Sequence, residues 1–154
     1  MDTMRGLVPG DIPAVAAALD TDEARAFGVH INVNELLMYL VSPWIRAYVR
    51  VIDGEFAGFA AFNISEAHWG RCELQEFYVP EKWRCKGHQS WKFYSWLIEQ
   101  ASCCHRITAH VKDTNMIVGA YLTRAGWQQE AVLSGYTPLG ETYLQYVLLR
   151  GAGR

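Results

Sequence analysis

The sequence predicts an α/β (α+β) fold, a mixed but mainly antiparallel sheet in a single domain spanning residues 1–154. Three observations lead there. Short alternating apolar runs interleave with stretches of helical periodicity, the mark of strands and helices mixed along one chain. The stretch "IRAYVRVIDGEFAGFAAFNI" is two such runs around Asp53-Gly54, the strongest hairpin signal in the chain. In "CELQEFYV", Cys72 and Leu74 alternate with Glu73 and Gln75, but the next apolar residues are Phe77 and Val79, so the parity slips by one between Gln75 and Phe77. An inserted residue, a β-bulge, restores the core face after such a slip and bends the strand. A strand buried on both faces would show the same pattern. With two long helices intervening, the bent strand predicts a sheet splayed where "CELQEFYV" meets "RITAHV".

The elements follow in order. A short strand is expected near Met4 to Val8. "DIPAVAAALD" sets Asp11 before an Ala-rich run with Pro13 early enough for a first turn, so it predicts a helix. "VNELLMYLVSP" predicts a second helix stopped by Pro43. The Asp53-Gly54 hairpin comes next, and "HWGR" turns into a strand from Arg71 to Val79. A helix is expected from about Lys86 to Ser102, with Trp91, Tyr94, Leu97, Ile98 and Ala101 on one core-facing stripe. Then come the strand "RITAHV", a helix from about Thr114 to Ala125 closed by Gly126, and two final strands, "WQQEAVL" and "TYLQYVLL". The predicted order is β-α-α-β-β-β-α-β-α-β-β.

Composition narrows the function classes. The 154 residues are 51% apolar, enough for one folded core. Fourteen Lys and Arg against sixteen Asp and Glu leave a formal charge of −2, so no global field recruits nucleic acid or an anionic membrane. No apolar run reaches the ~18–20 residues of a membrane span, and the N-terminus lacks a signal-peptide layout, so a cytoplasmic protein is expected. Cys72, Cys85, Cys103 and Cys104 form no CxxC pair and suit reduced thiols; Cys103, Cys104 and His105, being consecutive, converge poorly on one ion, so no metal is expected.

Between the parity-slipped strand and its helix lies "RCKGHQ", Arg84 to Gln89. A helix's first turn leaves backbone N–H groups unpaired and carries the positive end of the dipole, so a phosphate can accept hydrogen bonds there. Gly87 permits close approach of backbone, and Lys82, Arg84 and Lys86 add local positive charge. A solvated basic corner has the same composition.

The order of elements, the bulge signal and Arg84-Cys85-Lys86-Gly87-His88-Gln89 together resemble the GNAT superfamily of acyl-CoA-dependent N-acyltransferases. That family carries Arg/Gln-x-x-Gly-x-Gly/Ala at this turn, and Gln89 is the one departure. Farther on, Asn115 followed by Gly126-Trp127 is similar to the family's helix-starting Asn and closing Gly-aromatic pair. The resemblance implies a single GNAT-like domain with a bulged, splayed central strand and helices on both faces. It implies an N-acetyltransferase using acetyl-CoA as donor and an amine as acceptor, without metal, with a homodimer as a further candidate assembly. The pyrophosphate would lie on Arg84, Cys85, Lys86, Gly87, His88 and Gln89, the pantetheine would pair near Phe77, Tyr78 and Val79, and Asn115 would complete the cofactor site.

For chemistry, the resemblance implies a base that removes a proton from the amine. Glu73, eleven residues before Arg84, is in the register some members use, and Glu76 in the suspected bulge competes with it. A general acid in many members is a Tyr seven residues after the Asn, where this chain has Leu122; the adjacent Tyr121 should face elsewhere on a regular helix. Tyr143, Tyr146 or water could take its place. His88 and His110 read as structural or exposed. The departures at Gln89 and Leu122 leave a second class open, a catalytically degenerate fold acting as a binding or structural component through its many aromatics.

Overall fold

The computed structural model describes residues 1–84 and 89–151, with only the backbone of Gln89. Its elements are β1 (Asp2–Gly6), α1 (Ile12–Leu19), α2 (Asp22–Ala26), α3 (Val33–Val41), β2 (Ile45–Ile52), β3 (Glu55–Asn63), β4 (Arg71–Tyr78), α4 (Glu81–Arg84), α5 (Gln89–Gln100), β5 (Arg106–Lys112), α6 (Met116–Arg124), β6 (Gln128–Leu133) and β7 (Tyr143–Leu149). The first strand lies two residues earlier than its apolar run suggests, because its register is set by pairing Asp2 with Ile52 through Gly6 with Tyr48. Two short helices were not legible. Five-residue α2, capped by Thr21 accepting from the Ala24 N–H at 3.1 Å, and four-residue α4 are too short to show a period. The start expected for α5 at Lys86 lies outside the described residues.

Local chemistry explains the longer elements. Asn32 and Glu35 form a reciprocal cap at the start of α3, each accepting from the other's backbone N–H at 3.0 and 2.7 Å. Asp53 and Gly54 both have positive φ, 50° and 83°, the conformation a two-residue hairpin turn requires.

The seven strands form one sheet in the order β1-β2-β3-β4-β5-β7-β6, antiparallel except between β4 and β5. Opposite β3, Ala61 pairs with Glu76 and Phe62 with Leu74, so Gln75 is the extra, bulged residue. The parity slip was therefore a bulge. It puts Cys72, Leu74, Phe77 and Val79 toward one face and Glu73, Glu76 and Tyr78 toward the other. The parallel ladder between β4 and β5 runs only from Arg71–Arg106 to Glu73–Thr108, and beyond that pair the strands part, as the sequence predicts.

Helices cover both faces. Against α1 to α3 lies a core that includes Val15, Leu19, Leu36, Val49, Phe59 and Tyr78. Against α5 and α6 lies a second that includes Phe62, Leu74, Phe93, Leu97, Ile107 and Trp127. Tyr94, Leu97 and Ala101 are buried as expected, but Trp91 is 40% exposed and Phe93, outside the predicted stripe, is fully buried. Trp91 sits one turn nearer the end of α5, where it caps Tyr94 and Tyr121 at ring distances of 5.2 and 5.5 Å rather than entering the core. Among the described residues no helix is long and apolar enough to cross a membrane, and no group of His, Cys, Asp and Glu is arranged to hold a metal ion.

Candidate active site

The parting of β4 from β5 opens a cleft of about 750 Å3. One wall is the bulged end of β4, another the start of α6, a third the segment after α2, and a fourth the end of β5 with the connection into β7. Because the ladder stops at Glu73, the edge of β4 that faces this cleft is unpaired by β5 from the bulge onward. An extended chain can add to such an edge.

Most of the sequence-predicted residues meet here. Glu76, Phe77, Tyr78, Val79, Arg84, Asn115 and Tyr121 all line the cleft. Cys85, Lys86, Gly87 and His88, with the side chain of Gln89, lie outside the described residues. Asn115 caps α6, accepting from the Val118 N–H, and its amide N–H donates to the Phe27 carbonyl at 3.4 Å, tying the helix start to the wall beyond α2. Arg84 is engaged: its Nε donates to the Val79 carbonyl at 2.6 Å, its guanidinium pairs with Glu23, and it lies over the Phe27 ring at 3.9 Å from the centroid.

Glu73 and Glu76 point to the same face but occupy different surroundings. Glu73 borders a second, more polar pocket of about 300 Å3, and its Oε1 lies 2.8 Å from Nδ1 of His110. Glu76 sits at the bulge inside the main cleft and, among the described residues, its carboxyl makes no hydrogen bond or ion pair. Burial pushes its carboxyl up to about 8, with the charges of Glu35 and Glu73 adding to the shift. The same carboxylates act on Tyr39 of α3, which burial first of all pushes up to about 12 and whose ring stacks 6.4 Å from that of Phe59. A carboxyl with such a value is poised to accept a proton near neutral pH.

Across the cleft, Tyr121 packs on Phe77, Trp91 and Tyr94, at ring distances between 5.5 and 5.8 Å. Its hydroxyl is buried without a hydrogen bond of good geometry, although Ser90 is near enough to perturb it. Burial raises its pKa, so the hydroxyl keeps its proton. Leu122 is 4% exposed and belongs to the core. Tyr121 thus turns toward the cleft despite standing one residue from the expected register, and it is also a packed aromatic.

The sequence leaves His110 as structural or exposed, without its partners. This residue also lines the main cleft, with Nδ1 on Glu73 and Nε2 3.0 Å from Oε1 of Gln145, and Tyr136 stacks on its ring at 5.2 Å. The Glu73 hydrogen bond dominates and holds its pKa above the ordinary histidine value. Strand alternation puts His110 on the polar face, but the partner Gln145 is thirty-five residues away and only the β5–β7 register brings it opposite.

No protein-family model and no curated protein matches the chain. Solved structures do. The ribosomal-protein-S18-alanine N-acetyltransferase of Escherichia coli superposes with a TM-score of 0.78 at 18% identity, over 100% of this chain and 97% of its own. The spermidine N-acetyltransferase of Vibrio cholerae, solved with CoA and spermine, gives 0.79 at 14% identity, over 97% and 95%. NAA60 of Arabidopsis thaliana, solved with a bisubstrate analogue, gives 0.76 at 14% identity, over 99% and 100%. The bulged strand, the splay and the helices on both faces form the fold of the GNAT acetyltransferases.

Proposed function

We propose that the protein is an N-acetyltransferase that moves the acetyl group of acetyl-CoA to an amine, with Glu76 as general base and Tyr121 as general acid. The observation that carries this reading is Glu76: a carboxyl with no partner among the described residues, at a bulge, in the cleft opened by the splay. Glu73 is the weaker candidate, because His110 already occupies one of its oxygens and it lies outside the lining of the main cleft.

The donor's pantetheine would add to the free edge of β4 at Phe77, Tyr78 and Val79, which brings the thioester to the bulge. The pyrophosphate would fall on Arg84 to Gln89, with Asn115 shaping the opposite wall. Glu76 takes the proton of the acceptor ammonium, directly or through water. The neutral nitrogen then attacks the thioester carbonyl carbon, the C–S bond breaks, the thiolate takes the proton of the Tyr121 hydroxyl, and the proton shed by the attacking nitrogen as it becomes the amide returns through water to Tyr121. Products are an N-acetyl amide and free CoA. Once deprotonated, Glu76 with Glu35 near it favours a cationic acceptor.

The test is acetyl-CoA turnover measured as free thiol release against a panel of amines, paired with thermal shift. Ligand at one hundred times its Kd should stabilise the protein by ~2.7 kcal/mol. A shift without turnover of any amine favours a binding component that has kept the fold and lost the chemistry. No shift at all removes the donor from the reading.

A further inference from the structure

A row of five side chains crosses the polar face of the sheet, from β6 through β7 and β5 to β4. Arg106 pairs with Glu130, and Gln145 Nε2–H donates to the same Glu130 Oε2 at 2.7 Å. Gln145 therefore has only its amide oxygen left to turn toward His110, where Oε1 stands 3.0 Å from Nε2. Rotating the amide by half a turn would set oxygen against the Glu130 carboxylate at that 2.7 Å spacing, which is repulsive. An oxygen at each ring nitrogen asks for a hydrogen on each. On the Nδ1 side Glu73 Oε1 is 2.8 Å away, and imidazole is the stronger base of that pair, so the shared proton stays on the ring.

From this row we infer that His110 is a positioning residue, a charged imidazolium at neutral pH that pins and neutralises Glu73 and anchors Tyr136, leaving Glu76 as the unpaired carboxyl of the acceptor side. The inference deepens the acyltransferase reading and rests on it for its kinetic consequence. Tyr136 stacks on the His110 ring, and Tyr143 packs tilted against Tyr136 with ring centroids 5.1 Å apart, so the connection between β6 and β7 is held against β5 and β7 at the same point. The other titratable and charged side chains lining the cleft with His110 include Glu76, the Lys112–Glu141 pair, His30, Arg25 and the engaged Arg84. Among them Glu76 is the one whose titration should sense His110, because Glu73 raises it and His110 cancels Glu73.

Two measurements test this. Nitrogen-15 NMR of the ligand-free protein should show both His110 ring nitrogens protonated at neutral pH, with the titration moved down in Glu73→Gln and up in Gln145→Glu. A neutral tautomer in the wild type overturns the inference whatever the enzyme does. In turnover, His110→Phe keeps the stacking surface for Tyr136 but removes the charge. Its acceptor KM should rise about tenfold with acetyl-CoA KM unchanged. Its rising pH limb should move to higher pH because Glu73 is uncompensated, and the double variant His110→Phe/Glu73→Gln should bring that limb back. An unmoved limb in His110→Phe, with wild-type turnover intact, also overturns it. Absence of wild-type turnover would overturn the acyltransferase reading alone, since the NMR result stands independently.

Discussion

From β4 and the residue after it, Cys72, Leu74, Phe77 and Val79 turn toward α5 and α6 and enter a core, while Glu73, Glu76 and Tyr78 turn the other way. The adjacent strand repeats the division, with Ile107, Ala109 and Val111 on the apolar side and Thr108 and His110 on the polar side. On the apolar face every residue is worth what it buries, and neighbours are interchangeable within their volumes. On the polar face worth depends on pairing. Arg106, Glu130, Gln145, His110 and Glu73 are satisfied by one another, and Glu76, a few residues from Glu73 on the same strand, makes no such bond among the described residues. The comparison teaches that an unpaired group on a face of otherwise paired ones marks the chemistry better than its residue type does.

The largest test of that contrast is Glu76→Gln, which keeps shape and removes basicity. Turnover should fall by ~10²–10⁴ with acetyl-CoA affinity nearly unchanged. In the wild type the rate should rise as pH passes about 8, where the Glu76 carboxyl loses its proton, and the variant should lack that limb. Stability gives a second reading with its own sign. Because burial raises this carboxyl in the folded state, the folded chain holds a proton the unfolded chain releases, so stability falls as pH rises from the ordinary carboxylate range to about 8. Glu76→Gln should flatten that slope in denaturant titrations. Full activity in the variant would return the base to Glu73 or to water.

On the apolar face the corresponding test is Phe93→Ala. Phe93 is fully buried, and a Cβ built on Gly58 of β3 would meet its ring at 2.8 Å, so β3 has made room for it at close range. Truncation should cost ~3–5 kcal/mol in chemical denaturation, and no pH dependence should accompany it. A loss that varies with pH would mean the two faces are coupled through the bulge.

Tyr121 stands between the two regimes, lining the cleft with its ring in the aromatic cluster and its hydroxyl buried. Removing a buried hydroxyl that lacks a good hydrogen bond should leave stability level or raise it by about 1 kcal/mol. As the acid, Tyr121→Phe should nonetheless lower kcat about tenfold. Unchanged kcat would give the proton to water or to another tyrosine.

The sequence made the apolar regime legible and the polar one only partly so. Alternation and turn chemistry are local, so the hairpin at Asp53-Gly54, the bulge and the splay could be read residue by residue, whereas Asn115 as the start of α6 came from the family resemblance. Helices as short as α2 and α4 carry no period, and Phe93 escaped because α5 buries a broader arc than the stripe through Tyr94 and Leu97 suggests. Glu76 was visible as a candidate through its place at the parity slip. What separated it from Glu73 is a histidine on β5 and a glutamine on β7, whose alignment depends on strand register and leaves no mark in either segment alone.

The smallest expected effect concerns the mouth of the cleft, where Arg84 tests whether a paired charge can change partners. In the structure Glu23 accepts from both the Arg84 guanidinium and the Glu81 backbone N–H, the latter at 2.7 Å, so one carboxylate fastens α2 to α4. A donor pyrophosphate at the start of α5 would compete with Glu23 for the same guanidinium. Glu23→Gln keeps an oxygen for the Glu81 N–H and gives up the charge that holds Arg84. Acetyl-CoA affinity at low salt should then tighten a few-fold, and its salt dependence should steepen because one more cation is free to meet phosphate. Arg84→Ala should abolish that gain in the Glu23→Gln background, which isolates the pair as a double-mutant cycle does. If affinity and salt slope are the same in wild type and Glu23→Gln, Arg84 is a strut between α2, Phe27 and the Val79 carbonyl, and the phosphate is held by the backbone at the start of α5 without it.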